Sequence, residues 1–225
     1  MSRFSRIEVL NEVLQIGLMP LFYEQEVDTA RRALDACLQG GARLVEFTNR
    51  GDFAWRVFAD LAEKLDRENS PVILGAGTID DAPTAAIFIA NGANFIVGPT
   101  FDTEIARLCN RRKIPYFPGC GSVTEIAVAE EWGVEICKVF PGQEVGGPGF
   151  IKAVHGPRPW SRLMPTGGVN PTRESVSTWI KSGAAVLGMG SNLINKDRLQ
   201  KAEFTAITRD IQQTLEWVAE ARGNL

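Results

Sequence analysis

Residues 40–45 read Gly40-Gly41-Ala42-Arg43-Leu44-Val45. The phrase returns as Asn91-Gly92-Ala93-Asn94-Phe95-Ile96, as Glu131-Trp132-Gly133-Val134-Glu135-Ile136 and as Lys181-Ser182-Gly183-Ala184-Ala185-Val186. Each time an amphipathic stretch runs into glycine and an apolar run follows at once. Glycine ends helices because it takes the left-handed conformation without a steric penalty. Short apolar runs rich in Val, Ile, Leu and Phe suit strands buried on both faces, as parallel strands are. Helix, glycine and strand in that order, four times over, predict an α/β protein built from repeated units.

Outward from these joints the same alternation fills the chain. Apolar runs occur at 18–23, 44–48, 72–75, 95–98, 115–118, 136–140, 163–165 and 185–188. Helical spacing predicts helices over 27–38, 53–65, 82–90, 103–111, 123–132 and 173–181; Val57, Phe58, Leu61 and Leu65, for example, form one stripe. Ser122 with Glu125 has the form of a capping box, and Thr172 or Pro171 opens another helix. Eight strands each followed by a helix predict a (β/α)8 TIM barrel, with a closed parallel sheet and outer helices. An open doubly wound sheet is the alternative, but the units recur without a change of composition. The expectation is one barrel domain over residues 1–225, with an N-terminal lead-in helix and a C-terminal helix after Asn195.

Composition narrows the class. With 44% hydrophobic and 23% charged residues the chain reads as an ordinary globular protein. A net charge of −3 gives no general attraction to nucleic acid or an anionic membrane. Residues 1–11 carry two arginines without an apolar stretch to follow, unlike a signal peptide, and no run approaches the length that spans a bilayer. The four cysteines, Cys37, Cys109, Cys120 and Cys137, form no CxxC pair and read as buried free thiols, which suits a cytoplasmic protein. The single histidine, His155, rules out zinc-finger spacing and leaves a Ser-His-Asp or Cys-His mechanism dependent on that one residue.

In a barrel of this kind the chemistry stands at the carboxyl ends of the strands. Lys138 lies in Ile136-Cys137-Lys138-Val139-Phe140, an otherwise apolar strand. Desolvation lowers the pKa of a buried lysine and leaves a neutral amine able to attack a carbonyl. An internal ion pair, or a lysine snorkelling from an edge, would explain it equally well. Glu46, in Leu44-Val45-Glu46-Phe47-Thr48, is a candidate general acid/base or a salt-bridge partner of Arg50 or Lys138. Arg50 could clamp a carboxylate or simply face solvent. Thr78 closes Gly75-Ala76-Gly77-Thr78 and offers a hydroxyl and an amide. Thr166-Gly167-Gly168 and Gly190-Ser191 follow the last two strands, where barrels often bind phosphate on backbone N–H groups; tight turns without a ligand are the other explanation.

With these blocks in place the sequence resembles the 2-keto-3-deoxy-6-phosphogluconate (KDPG/KHG) aldolases, pyruvate-dependent class I aldolases of the Entner–Doudoroff route. The resemblance runs over residues 18–193 and rests on Glu46-Phe47-Thr48-Asn49-Arg50, Gly75–Thr78, Lys138-Val139-Phe140-Pro141, Pro165-Thr166-Gly167-Gly168 and Gly190-Ser191 in order. It implies Lys138 as Schiff-base nucleophile and Glu46 as general acid/base. It implies Arg50, Thr78 and Thr166 around the pyruvate carboxylate and carbonyl. Gly167, Gly168, Gly190 and Ser191 would take the phosphate. It implies no cofactor and no metal, a homotrimer, and a phosphorylated keto-sugar acid and pyruvate as ligands. Three places depart from the family pattern: Gly98-Pro99-Thr100 stands for the usual Ser-Pro, Gly142 for Ala, and Pro20-Leu21-Phe22-Tyr23 carries no arginine. The galactonate epimer and 4-hydroxy-2-oxoglutarate therefore stay open as substrates. Two other functions are compatible with the residues alone: a phosphate-binding barrel isomerase or synthase in which Lys138 only holds an anion, and a catalytically silent barrel that binds a sugar phosphate.

Overall fold

In a computed structural model, which describes residues 2–223, the predicted alternation of strand and helix is realised. The strands are β1 (Leu18–Phe22), β2 (Leu44–Thr48), β3 (Ile73–Gly77), β4 (Ile96–Val97), β5 (Tyr116–Phe117), β6 (Gly119–Cys120), β7 (Cys137–Val139), β8 (Leu163–Pro165) and β9 (Leu187–Met189). All neighbours pair parallel. One sheet has the order β5-β4-β3-β2-β1-β9 and the second β6-β7-β8. The predicted fifth strand is split because Pro118 has no N–H to give the ladder; its carbonyl still accepts from Lys138 N at 2.9 Å. At the other junction Ala185 N donates to Leu163 O at 2.9 Å, and Thr166 bridges Gly188. The sheet is thus a curled parallel surface in two hydrogen-bonded sections, six strands in the larger.

Helices α2 (Val27–Gln39), α3 (Ala54–Arg67), α4 (Ala82–Ala90), α5 (Thr103–Arg112), α6 (Val123–Glu131) and α8 (Arg173–Lys181) lie within two residues of the expected bounds. The glycines of the repeated phrase, Gly41, Gly92, Gly133 and Gly183, have φ between 82° and 106°, the left-handed turn that releases the chain into the next strand. Ser122 caps α6 by accepting from Glu125 N at 3.2 Å, but the Glu125 carboxylate reaches Gly121 N rather than Ser122 N. Helix α7 (Gly147–His155) has no counterpart in the periodicity, because glycine and proline dominate its first turn. Pro148 costs nothing there, since first-turn N–H groups have no helical acceptor. Helices α9 (Lys196–Gln200) and α10 (Phe204–Arg222) follow the last strand.

Strand alternation divides the core in two. Leu18, Phe22, Val45, Phe47, Leu74, Ile96, Cys137, Val139 and Leu187 face outward and pack under the helices. Their intervening neighbours Met19, Leu44, Ile73, Phe95, Val97, Phe117, Ile136, Met164 and Val186 face inward and form a second cluster drawn from both sheets. Helix α1 (Arg6–Ile16), opened by a reciprocal Ser5–Glu8 capping box, closes this inner cluster at the amino ends of the strands with the fully buried Val9 and Val13. The other end of the inner face is left for polar residues.

Arg222, in the last turn of α10, fastens the two chain ends together. Its guanidinium donates to Leu14 O at 3.0 Å, to Gln15 O at 2.9 Å and to Ala185 O. Arg222→Met keeps the stem and removes the donors. Carbonyls bonded to a charged donor and then left bare cost about 2 kcal/mol, so urea unfolding should show a loss of that size. A midpoint equal to that of the wild type would mean that water replaces the guanidinium without cost.

Candidate active site

On β2 and β7 the apolar filling of the inner face stops short of the carboxyl ends. Glu46, two residues after Leu44, and Lys138, two residues after Ile136, occupy the next inward positions on β2 and β7. Glu46 is 1% exposed and Lys138 6%. No hydrogen bond joins them; they interact through space. Burial pushes the Glu46 carboxyl above the usual carboxylate range, against the opposing pull of Lys138 and Arg50. Burial likewise pushes the Lys138 ammonium below its ordinary value; Glu46 opposes that shift and Arg50 adds to it. Each shift favours the neutral form, an amine without its extra proton and a carboxyl that holds one. The internal ion pair allowed by the bare sequence is not formed. The Lys138 Nζ lies 4.8 Å from the centre of the Phe140 ring.

Glycine makes the space that these groups occupy. A Cβ on Gly77 would stand 1.7 Å from Glu46 Oε1, and one on Gly188 would stand 2.2 Å from Thr166 Oγ1. Both substitutions would collide with the groups themselves. Gly75, also facing inward, has the Phe95 ring 2.2 Å from where its Cβ would be. The Gly75-Ala76-Gly77 block is thus a relief cut for Glu46 and Phe95.

The remaining candidates surround this pair. Asn49 N donates to Gly77 O at 2.7 Å and so ties the loop carrying Arg50 to β3. Arg50 itself is exposed at the rim, yet its charge is felt by both Glu46 and Lys138. Thr78 holds φ at 58°, where a β-branched residue is strained by about 1–3 kcal/mol. Thr166 is 7% exposed, and its Oγ1 is buried without a hydrogen-bond partner in the protein. A buried hydroxyl left bare is costly, so this one suits a ligand's polar atom. After β8, Gly167 and Gly168 take φ of 93° and 78°. Gly190 and the exposed Ser191 follow β9, and Asn192 links the two loops, donating to Val169 O at 3.2 Å and to Asn170 Oδ1 at 2.8 Å. No motif pointed to Asn192. His155 is placed at the opposite end of the strands, bonded through Nε2 to Ser161 O and packed on Gly183, so it is remote from the pair. Among the described residues no three His, Cys, Asp or Glu side chains gather as a metal site, and all four cysteines are buried and free. No helix among them is long and apolar enough to cross a membrane.

The sequence model of the KDPG and KHG aldolase family matches residues 9–210. A 2-dehydro-3-deoxy-phosphogluconate aldolase of Pseudomonas aeruginosa is 30% identical, over 98% of this chain and 97% of its own. Another of the same description, from Treponema pallidum, is 28% identical over 94% of this chain and 98% of its own. Among solved structures, the KDPG aldolase of Legionella pneumophila, in which pyruvate was captured as a covalent carbinolamine intermediate, superposes with a TM-score of 0.82. That match is 24% identical and covers 90% of this chain and 96% of the other.

The raised pKa of Glu46 sets a pH dependence of stability. A group whose folded pKa lies above its unfolded value stabilises the fold in acid, and that contribution is lost as pH rises through the folded value. Glu46→Gln removes the titration while keeping the shape. Thermal unfolding from pH 4.5 to pH 8 should therefore show the Gln variant gaining on the wild type as pH rises. A gap that stays constant or moves the other way would mean that Lys138 and Arg50 outweigh burial.

Proposed function

This chain belongs to the KDPG and KHG aldolase family, and we propose that it cleaves 2-keto-3-deoxy-6-phosphogluconate to pyruvate and glyceraldehyde 3-phosphate, reversibly, through a Schiff base on Lys138. It is a lyase, a pyruvate-dependent class I aldolase. The observation that carries the assignment of the nucleophile is a lysine 6% exposed, its pKa lowered by burial, on one inner face with a carboxyl whose pKa is raised.

The neutral Lys138 amine attacks the C2 carbonyl carbon, and Glu46 gives its proton to the carbinolamine hydroxyl, which leaves as water; the products are a positively charged imine and a Glu46 carboxylate. Glu46 accepts the proton of the C4 hydroxyl as the C3–C4 bond breaks. The bonding pair moves into the imine to give an enamine, and the aldehyde departs. Glu46 returns that proton to C3, and water adds to the imine to release pyruvate, restoring the neutral amine and the proton on Glu46. Arg50 and Thr78 hold the pyruvate carboxylate in this scheme, and the unpartnered Thr166 hydroxyl meets the carboxylate or carbonyl region. Gly167, Gly168, Gly190 and Ser191 present backbone amides and a hydroxyl to the phosphate, at loops that Asn192 keeps together.

The same reading takes the two sheets as one closed (β/α)8 barrel and one domain. It is supported by the single-residue gap at Pro118 and by the Ala185–Leu163 and Thr166–Gly188 contacts. The working unit is a homotrimer by family resemblance, and light scattering should return a trimeric mass. The galactonate epimer is the alternative substrate, since the end of β1, Pro20-Leu21-Phe22 with Tyr23 after it, lacks the arginine of the family pattern.

Pyruvate with borohydride tests the nucleophile. The wild type should gain the mass of one reduced pyruvate adduct, mapped to Lys138. Lys138→Arg keeps the charge but stays protonated and cannot form an imine, so both the adduct and aldolase activity should vanish. Glu46→Gln should retain the adduct and lose about 10²–10⁴-fold in kcat. Trapped pyruvate on Lys113, Lys152 or Lys181, or an active Lys138→Arg enzyme, would overturn the assignment.

A further inference from the structure

The turn after Lys138 carries a side chain to which the catalytic scheme gives no task. Between β7 and α7 the backbone folds back on itself: Val145 N donates to Pro141 O at 3.1 Å, Gly146 N to Gln143 O at 3.2 Å and Gly147 N to Gly142 O at 3.0 Å. The same turn is laced to the loop after β8, with Gly142 N on Thr166 O at 2.8 Å and Gln143 N on Gly167 O at 3.1 Å. Gln143 is therefore held by backbone bonds against the pair of glycines assigned to the phosphate.

Its side chain lies across the second of them. A Cβ built on Gly168 would be 2.3 Å from Gln143 Cβ, 3.1 Å from Cγ and 3.3 Å from Oε1. A Cβ built on Gly147 would be 3.4 Å from both the Nε2 and the Oε1 of Gln143. The stem thus rests on the bare Cα of Gly168, and the amide head sits between that glycine and the first residue of α7. The residue as a whole is exposed, next to the two glycines assigned to the phosphate. Rotation about the last side-chain bond lets a carboxamide present either its two N–H donors or its oxygen. Beside backbone N–H groups that would face an anion, the donors add to the attraction and bring no charge of their own. A carboxylate of the same length would repel a phosphate dianion at the same place.

We propose that Gln143 is a specificity residue for the phosphorylated end of the substrate, its amide N–H groups donating to phosphate oxygens seated on Gly167 and Gly168. This rests on the aldolase function proposed above and names the side chain that distinguishes a phosphorylated keto acid from an unphosphorylated one. Gly168 then has two duties: it gives its amide to the anion and leaves room for Gln143. Any side chain at position 168 displaces both.

Steady-state kinetics of the wild type, Gln143→Met and Gln143→Glu, on 2-keto-3-deoxy-6-phosphogluconate and on 4-hydroxy-2-oxoglutarate, test the proposal. The methionine keeps the stem packed on Gly168 and removes the amide. A hydrogen bond to a charged group lost from the bound state corresponds to about a tenfold rise in KM, expected for the phosphorylated substrate with Gln143→Met. Gln143→Glu should raise that KM further, and more so at low salt, where charge repulsion is least screened. For 4-hydroxy-2-oxoglutarate, KM should move by less than about twofold, with kcat held on both substrates, as for loss of binding that is uniform between ground and transition states. Equal shifts on the two substrates, or an unchanged KM for the phosphorylated one in Gln143→Met, would overturn the role of Gln143 while pyruvate trapping on Lys138 persists. A wild type that traps no pyruvate would overturn the aldolase function, and this proposal with it.

Discussion

Burying Lys138 and Glu46 on one inner face is the constraint around which the other site residues are arranged. A charged ammonium or carboxylate loses its hydration there, and the fold answers by shifting each group toward its neutral form. The two groups do not close into a hydrogen-bonded pair. Had they done so, the amine would be protonated and held by its partner, and no carbonyl carbon could approach its lone pair. Separation within Coulomb range leaves the Lys138 amine without a carboxylate hydrogen bond. That arrangement costs stability, and the cost is met by apolar packing elsewhere.

The inner face shows where that packing lies. From α1 upward it is filled by Val9, Val13, Met19, Leu44, Ile73, Phe95, Phe117, Ile136, Met164 and Val186, drawn from strands of both sheets. The next inward positions hold Glu46 and Lys138, with glycine at 75, 77 and 188 where a side chain would collide with Phe95, Glu46 or Thr166. A parallel sheet delivers alternate residues to one face, so a change of residue type two positions further along a strand turns packed core into site. The outer face has no such change, because the helices cover it along its whole length. Rigidity of the site follows from its placement on strands, with the loops contributing the rim: Arg50, Thr78, Gly167, Gly168 and Ser191.

Much of this was legible before any coordinates. The glycine phrase gave the joints between helix and strand because the left-handed turn has a residue preference strong enough to read locally. Lys138 and Glu46 stood out because an ionisable residue inside an apolar strand contradicts its surroundings. The split at Pro118 was also available in principle, since proline cannot supply a ladder N–H. Helix α7 was not legible, because its glycine-rich first turn erases the periodic signal and its stability comes from Ile151 and Val154 packing into the outer core. Asn192 and Gln143 were invisible for another reason: each matters through a neighbour distant in sequence, and nothing in its own surroundings is unusual.

The sequence by itself determined the α/β class of the fold, the order of its elements and which two ionisable residues stand inside apolar strands. These follow from local conformational preference and from the cost of placing a charge in an apolar strand, and both act over a few residues. Only the tertiary structure decided whether Glu46 and Lys138 would pair, which glycines clear space for them, and which loops meet at the carboxyl ends of β8 and β9. Those outcomes depend on strand register and on the curl of the sheet, which bring β2 beside β3 and set the turn after β7 against the loop after β8. Register is fixed by the sum of many packed side chains rather than by any one of them, so it emerges only when the whole chain is folded.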